Sequence, residues 1–238
     1  MVDIFIPCFI DQLFPDTGWN VVKVLKKAGI ASNYNPSQTC CGQPHYNSGY
    51  WNHSRKMAEK FLTDFTDDRP IIVPSASCAG FIRNHYPKLF KDAPEELEKF
   101  QLIKKNVVEF TDFLVNHLKI THFGASFNHT VTYHDGCAAL REYGIEKEPR
   151  ELLKNVDGLR LSEMEERDVC CGFGGTFMVK FAPISTAMVQ QKVENALNTK
   201  AEYIVSSEAS CLININSYID KNNIPLKTLH IADVLASF

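Results

Sequence analysis

The sequence contains no long apolar segment and no strong excess of either charge. Its longest stretch without Asp, Glu, Lys or Arg, residues 28–54, is rich in Asn, Ser, Gln and Pro, whereas a membrane-spanning helix needs about 20 mostly apolar residues. The 25 Lys and Arg nearly balance the 28 Asp and Glu, which gives no general attraction for nucleic acid or anionic membranes. No Lys or Arg precedes Lys23, which argues against an export signal with a basic start. We therefore expect a cytoplasmic protein that has no membrane span and no nucleic-acid partner.

Several familiar functional motifs are also missing. The glycine-rich segment 170–175, CCGFGG, lacks the GxGxxG spacing and the Lys-Ser/Thr ending of phosphate-binding loops. We find no flavin or nicotinamide fingerprint and no Ser/His/Asp arrangement at a recognisable motif spacing. The CxxC knuckles of familiar zinc sites are absent as well. These absences leave the cysteines as the most informative residues.

The eight cysteines follow one pattern that occurs twice. Each copy has a single cysteine, a Cys-Cys-Gly pair and another single cysteine; the positions are Cys8, Cys40, Cys41 and Cys78, then Cys137, Cys170, Cys171 and Cys211. The copies are offset by about 130 residues, and similar segments precede the last cysteine of each copy, residues 72–77 and 204–210. The length of 238 residues suits one large domain or two of about 110 to 120 residues. We predict an internal duplication with halves 1–118 and 119–238.

Short apolar runs place each single cysteine after a strand. The predicted strands are residues 3–7, 71–74, 131–133 and 203–206. Helical patterns occupy residues 19–28, 50–65 and 185–199, and a helical connector is expected over 95–105 and 107–118. This alternation predicts an α/β fold of two duplicated halves with mainly parallel sheets. Because loops gather at the carboxyl ends of parallel strands, we expect one crevice in each half that collects its four cysteines.

Several roles are open to cysteines in this arrangement. Free cysteines can be buried apolar residues, but eight of them in a reducing compartment more often indicate metal or redox chemistry. A disulfide within a pair is disfavoured, because consecutive Cα atoms are about 3.8 Å apart, below the usual disulfide range. Iron–sulfur clusters have several irons, so neighbouring cysteines can bind different metal atoms. We predict one cluster in each half, with zinc as an alternative or substitute metal.

The sequence around the cysteines resembles that of a known family. Three segments, 40–50 (CCGQPHYNSGY), 170–177 (CCGFGGTF) and 229–235 (LHIADVL), are similar to the lactate utilisation protein A family. More broadly, the repeated pattern looks like the cysteine-rich CCG domain that heterodisulfide reductase and the iron–sulfur component of glycolate oxidase contain. The resemblance extends over essentially the whole chain.

The resemblance implies an iron–sulfur electron-transfer subunit of a cytoplasmic complex that oxidises L-lactate to pyruvate. It also implies two partner proteins, one of which carries ferredoxin-like iron–sulfur motifs. In heterodisulfide reductase each motif ends in CxxC, but Phe81 and Asn214 replace the final cysteine here. This departure favours a 4Fe-4S cluster over a noncubane cluster. It also argues against a thiol–disulfide reductase role, which stays an alternative beside a noncatalytic scaffold stabilised by zinc or a cluster.

Four other side chains are candidates for roles beside the cysteines. His134, which precedes Cys137, could lie beside a cluster or replace one of its ligands. His45 could donate a proton near the cluster or the substrate. Arg141 and Lys180 could bind a carboxylate such as that of lactate. We predict the eight cysteines as the cluster ligands, whereas a surface or structural role is the simpler expectation for His45, Arg141 and Lys180.

Overall fold

The computed structural model describes all 238 residues and contains two four-stranded sheets. The first sheet consists of β1 (Val2–Ile4), β2 (Ser32–Tyr34), β3 (Ile71–Val73) and β4 (Val107–Glu109), in the order β2-β1-β3-β4. The second consists of β5 (Thr130–Tyr133), β6 (Arg160–Leu161), β7 (Tyr203–Ser206) and β8 (Lys227–His230), in the order β6-β5-β7-β8. All strand pairs are parallel. The identical order confirms the predicted α/β fold of two duplicated halves.

Helices connect the strands in both halves. The first half has α1 (Cys8–Leu13), α2 (Pro15–Lys27), α3 (Gln43–Asn47), α4 (Trp51–Asp64), α5 (Ala76–Leu89), α6 (Pro94–Ile103) and α7 (Phe110–Asp112). The second half has α8 (Lys147–Lys154), α9 (Phe177–Lys180), α10 (Ala182–Asn198), α11 (Ala209–Lys221) and α12 (Ile231–Leu235). A 3₁₀ turn at Lys104–Asn106 and two π-helical turns, Phe113–His117 and Ala139–Tyr143, complete the helical content. None of these helices combines the length and the apolar composition that crossing a bilayer requires.

The connector between the halves differs from the sequence expectation. The sequence pattern favours a helix over residues 107–118, but Val107–Glu109 forms β4 and pairs with β3, with Val107 opposite Ile71 and Val108 opposite Ile72. A short β-branched run has no clear periodicity, so its sequence alone does not separate a strand from a buried helical turn. Pairing with the apolar strand β3 decides the outcome, and the helical part starts only at Phe110.

The two halves share one hydrophobic core. Ile4 and Ile72 from the first sheet lie in the same core as Val131 and Val205 from the second. The helix that ends each half packs on the other half: α12 contacts α2, and α7 contacts α8. Asp233 of α12 accepts hydrogen bonds from Thr17 Oγ1 and Asn20 Nδ2 of α2, both at 3.0 Å. The packing of these helices on the opposite half fixes the relative position of the halves and brings their loops together.

Candidate metal centre

All eight cysteines line a single cavity of about 170 Å³. The sequence predicted one crevice in each half, but the loops of both halves meet, and their cysteines face the same space. Phe9 and Phe173 line the cavity from opposite halves, and their ring centroids are 5.6 Å apart. Cys41, Cys171 and Cys211 are buried, and the other five cysteines are half-buried. A small molecule entering this cavity would therefore meet both cysteine sets.

The last cysteine of each motif begins a helix directly after a strand. Cys78 is in the first turn of α5, which follows β3, and Cys211 is in the first turn of α11, which follows β7. A helix N-terminus carries partial positive charge from its free N–H groups, and that charge stabilises a thiolate. The predicted placement of these cysteines after strands is observed, and the helix ends add a favourable electrostatic environment.

Each Cys-Cys-Gly loop directs a backbone N–H group to a sulfur atom. Gly42 N donates to Cys40 Sγ at 3.3 Å, and Gly172 N donates to Cys170 Sγ at 3.4 Å. Both glycines adopt left-handed backbone conformations, with φ of 90° and 84°. Such φ values are strained for any residue that has a Cβ atom. The glycine after each pair is therefore needed to form this N–H···S contact.

Changing Gly172 to alanine is expected to destabilise the protein more than changing Gly42. A Cβ atom at Gly172 would lie 2.7 Å from the backbone oxygen of Ser185, whereas the nearest atom to a Cβ at Gly42 would be Ser54 Oγ at 3.0 Å. The left-handed conformation costs about 1–2 kcal/mol in both variants, and the backbone overlap adds to it at Gly172. Urea unfolding of the metal-free protein measures the difference. Gly29→Ala is the matched control, because φ there is 75° but no atom lies within 4 Å; an equal loss in all three variants would contradict the contact.

Polar side chains form similar hydrogen bonds to the backbone of both Cys-Cys-Gly loops. Ser54 Oγ donates to Gly42 O at 3.0 Å, and Ser185 Oγ donates to Gly172 O at 2.8 Å. Two different residues hold the buried cysteine of each pair: Tyr86 Oη donates to Cys41 O at 2.9 Å, and Asn214 Nδ2 donates to Cys171 O at 2.8 Å. These side chains were not among the candidates from the sequence. The duplication was the available indication for the two serines, which follow the two pairs at nearly equal spacing.

The thiol groups within each half form hydrogen bonds with one another. Cys41 Sγ lies 3.5 Å from Cys78 Sγ. Hydrogen bonds from Cys41 and Cys8 lower the pKa of Cys40 to about 3. In the second half, hydrogen bonds from Cys137 and Cys171 lower the pKa of Cys170 to about 2. These hydrogen bonds favour the thiolate form of Cys40 and Cys170, the form of cysteine that binds metals.

Glu208 connects the two halves at the edge of the cavity. This carboxylate is buried and accepts hydrogen bonds from Ser77 N and Ser77 Oγ, both at 2.7 Å, and from Ser75 Oγ at 3.0 Å. Burial raises the pKa of Glu208 to about 7. Glu208 was not among the candidates from the sequence. The corresponding residue of the first repeat is Ser75, also three residues before the last cysteine, so the two halves differ at this point.

These features agree with comparisons to known proteins. The CCG cysteine-rich domain model matches residues 2–83 and 131–216, one copy in each half. "Lactate utilization protein A" of Bacillus thuringiensis strain Al Hakam is 39% identical over 236 residues, which cover 99% of this chain and 98% of that protein. This chain belongs to the lactate utilization protein A family. "Lactate utilization protein A 2" of Bacillus anthracis strain CDC 684 / NRRL 3495 matches with the same identity and coverage.

A solved structure shares the fold of this family member. A hypothetical protein from Helicobacter pylori superimposes with a TM-score of 0.63 and 11% sequence identity. The match covers 98% of this chain and 48% of the Helicobacter protein. At this identity the similarity supports the two-sheet architecture alone.

The other side chains singled out in the sequence have different environments. His134 is fully buried, and one of its ring nitrogens lies within 4.8 Å of the sulfur atoms of Cys171 and Cys211. His45, Arg141 and Lys180 are exposed, and none of them lines the cavity. His45 instead stacks on His53 with 5.9 Å between ring centroids. Of these four candidates, only His134 lies with cysteine sulfurs at a distance that suits a shared metal, although the exposed His45 also contributes to the lowered pKa of Cys40.

The donor set of this family member suits a metal or an iron–sulfur cluster. Four thiol groups per half converge on the cavity, and one of them in each half receives a backbone N–H group. Thiolates are the usual ligands of iron–sulfur clusters and of structural zinc. The buried His134, whose two ring nitrogens have no hydrogen-bond partner, lies beside this donor set.

A buried carboxyl group on β4 gives the protein a testable pH response. Glu109 Oε2 accepts from Thr111 N at 2.6 Å and Asp112 N at 3.0 Å, but Oε1 has no partner. Burial raises the pKa of Glu109 to about 8, from an ordinary value of 4.5. The folded protein therefore keeps a proton that the unfolded chain loses between these two pH values.

The free energy of unfolding is expected to fall as the pH rises from about 4.5 to about 8. Glu109→Gln carries no ionisable proton, so this variant should lose a large part of that slope, while Glu208 leaves a residual dependence. Urea unfolding of the metal-free protein at a series of pH values measures the slope. Glu95→Gln, at an exposed position of α6, is the control. Identical slopes for wild type and Glu109→Gln would contradict the assignment.

Proposed function

We propose that this protein is the iron–sulfur electron-transfer subunit of a cytoplasmic complex that oxidises L-lactate to pyruvate. The main support for this proposal is that both CCG cysteine sets line one cavity. The names of the relatives support lactate as the substrate of the system. We propose two further lactate-utilisation proteins as partners, one of them with ferredoxin-like iron–sulfur motifs.

The proposed ligands are the eight cysteines, four for each cluster. Cys8, Cys40, Cys41 and Cys78 would hold one cluster, and Cys137, Cys170, Cys171 and Cys211 the other. A 4Fe-4S cluster at each site would accept and release single electrons. The N–H groups of Gly42 and Gly172 donate to ligand sulfurs, and such bonds stabilise added negative charge. Zinc could occupy the same thiolates when iron is lost.

The cavity lining supports electron transfer rather than lactate binding by this chain. No Lys, Arg or His lines the cavity, and its charged lining residue outside the cysteines is Glu208. A carboxylate substrate needs a cationic or strongly donating partner, and Glu208 in its ionised form would repel it. We therefore propose that lactate binds to a partner protein and that this chain carries the electrons.

We also propose that residues 1–118 and 119–238 are the two units of the duplication. Each unit contains one complete sheet and one complete cysteine motif. The core shared between Ile4 and Val131 and the packing of α12 on α2 join the units into one body. On this proposal, each unit supplies the ligands of one cluster, and the shared core holds the two sites together.

Metal analysis and a reconstituted assay test this function. The protein purified without oxygen should contain iron and acid-labile sulfide in the amounts of two clusters per chain. When this chain and both partner proteins are combined, lactate should reduce a dye, and omission of this chain should abolish the reduction. Stoichiometric zinc without sulfide would favour the scaffold alternative. Reduction of a small disulfide by this chain alone, without lactate-dependent dye reduction, would favour the thiol–disulfide reductase alternative.

A further inference from the structure

The two halves differ in the buried side chains at two equivalent positions near the cysteines. Cys8 and Cys137 are equivalent in the repeat, so Phe5 corresponds to His134, three residues earlier in each half. Ser54 and Ser185 make the same hydrogen bond to the glycine of each pair. Seven residues later on α4 and α10, Phe61 therefore corresponds to Lys192. An aromatic pair in the first half is thus replaced by two nitrogen-containing side chains in the second.

In the first half the equivalent positions are apolar. The rings of Phe5 and Phe61 are buried and make an edge-to-face contact with 5.5 Å between centroids. Both belong to the hydrophobic core that includes Cys41. Neither side chain has a hydrogen-bond donor for a sulfur atom. The hydrogen bonds to Cys40 come from Gly42 N and from the neighbouring thiols of Cys41 and Cys8.

In the second half the same region is polar and equally buried. His134 has 0% and Lys192 has 1% of its surface exposed. Neither ring nitrogen of His134 has a hydrogen-bond partner, although Cys171 and Cys211 lie close to it. A buried donor without a partner is destabilising, so the imidazole N–H is unfavourable here unless a sulfur atom accepts from it.

Lys192 adds positive charge to the same side of the second half. Its ammonium group donates to the backbone oxygen of Glu166. Burial lowers the pKa of Lys192, whereas Cys171 and the carboxylates of Asp168, Glu166 and Asp135 act in the opposite direction. Val189 and Val193, from the same helix, share a hydrophobic core with Cys171.

We propose that His134 is a positioning residue that donates a hydrogen bond to a ligand sulfur of the Cys171–Cys211 pair and makes the second-half cluster the stronger electron acceptor. This inference rests on the proposed function. Hydrogen bonds to sulfur and nearby positive charge stabilise the reduced state of a cluster and raise its reduction potential. The first half has Phe5 and Phe61 at these positions and lacks this donor, so a cluster bound there would have the lower potential. At equilibrium, electrons would then be held in the second half.

Anaerobic redox titration followed by EPR tests this asymmetry. Cys171→Ser protein retains the first-half cluster and Cys41→Ser protein retains the second-half cluster, so the two variants assign each signal to a half. In the wild type, the second-half signal should be reduced at the higher potential. His134→Phe, which copies the first half, should shift the second-half signal to lower potential and leave the first-half signal unchanged. His134→Gln, which keeps an N–H donor, should lie between the wild type and His134→Phe.

The outcomes separate this inference from the proposed function. Equal potentials in the wild type, or a second-half potential below the first, would overturn the inference alone. Loss of second-half iron in His134→Phe, with unaltered unfolding of the metal-free variant, would make His134 a ligand and overturn its role as donor. If His134→Phe does not fold, the order of potentials in the wild type and the shift in His134→Gln still test the inference. Absence of iron and sulfide from the wild type would overturn the proposed function as well.

Discussion

Cys41→Ser and Cys171→Ser should each remove about half of the iron and acid-labile sulfide from the anaerobically purified protein. Both residues are the buried second member of a Cys-Cys-Gly pair, one in each half. A serine hydroxyl is a poor substitute for a thiolate ligand, whereas the ligands of the other half are not altered. Iron and sulfide per chain, with absorbance and EPR spectra of each variant, measure the loss.

Because the cavity is shared, this experiment also distinguishes two separate clusters from one centre that both halves hold. Since all eight cysteines line one space, the alternative is a single centre that uses ligands from both halves. In that case either substitution would remove all of the iron. The double variant should contain none on either interpretation. Urea unfolding of the metal-free forms is the control, because it separates the loss of a ligand from any loss of stability caused by a buried serine hydroxyl.

Arg150→Met is expected to lower the free energy of unfolding by about 3–5 kcal/mol. Arg150 Nη1 and Nη2 donate to the two carboxylate oxygens of Asp135 at 2.8 and 2.7 Å, and the Asp135 side chain is 3% exposed. The guanidinium group also lies 5.1 Å from the ring centroid of Tyr133. Removal of the arginine leaves a buried carboxylate with one longer contact, from Arg167 Nη1 at 3.3 Å. Urea unfolding of the metal-free protein measures the change.

Two further variants control this result. Arg141→Met removes an exposed arginine from the same half and should change the stability by no more than about 0.5 kcal/mol. Asp135→Asn in the Arg150→Met background removes the carboxylate charge that only Arg167 would then pair, and should restore part of the loss. Because Asp135 lies two residues before Cys137, Arg150→Met should also lower iron content in the second half more than in the first. Equal stability of Arg150→Met and Arg141→Met would contradict the buried ion pair.

The sequence predicted the parts of this protein that depend on local pattern. The repeated cysteine motif indicated the duplication, and the apolar runs at 71–74 and 203–206 indicated strands that the structure has at Ile71–Val73 and Tyr203–Ser206. The helix predicted over Val107–Glu109 was wrong, because a three-residue strand is recognised through its pairing with β3 and not through its own periodicity.

The sequence by itself determined the α/β class, the duplicated halves and the eight thiol groups, because strand and helix periods and cysteine spacing are local properties of the chain. Only the tertiary structure decided that both cysteine sets share one cavity, since that depends on the packing of α12 on α2 and on the core that both sheets share. The same holds for the role of Glu208, and for the burial that places His134, a candidate from the sequence, beside Cys171 and Cys211. Glu208 accepts a hydrogen bond from Ser75, and His134 lies close to Cys211. Both partners are distant in sequence, so the chain's local pattern does not reveal these contacts.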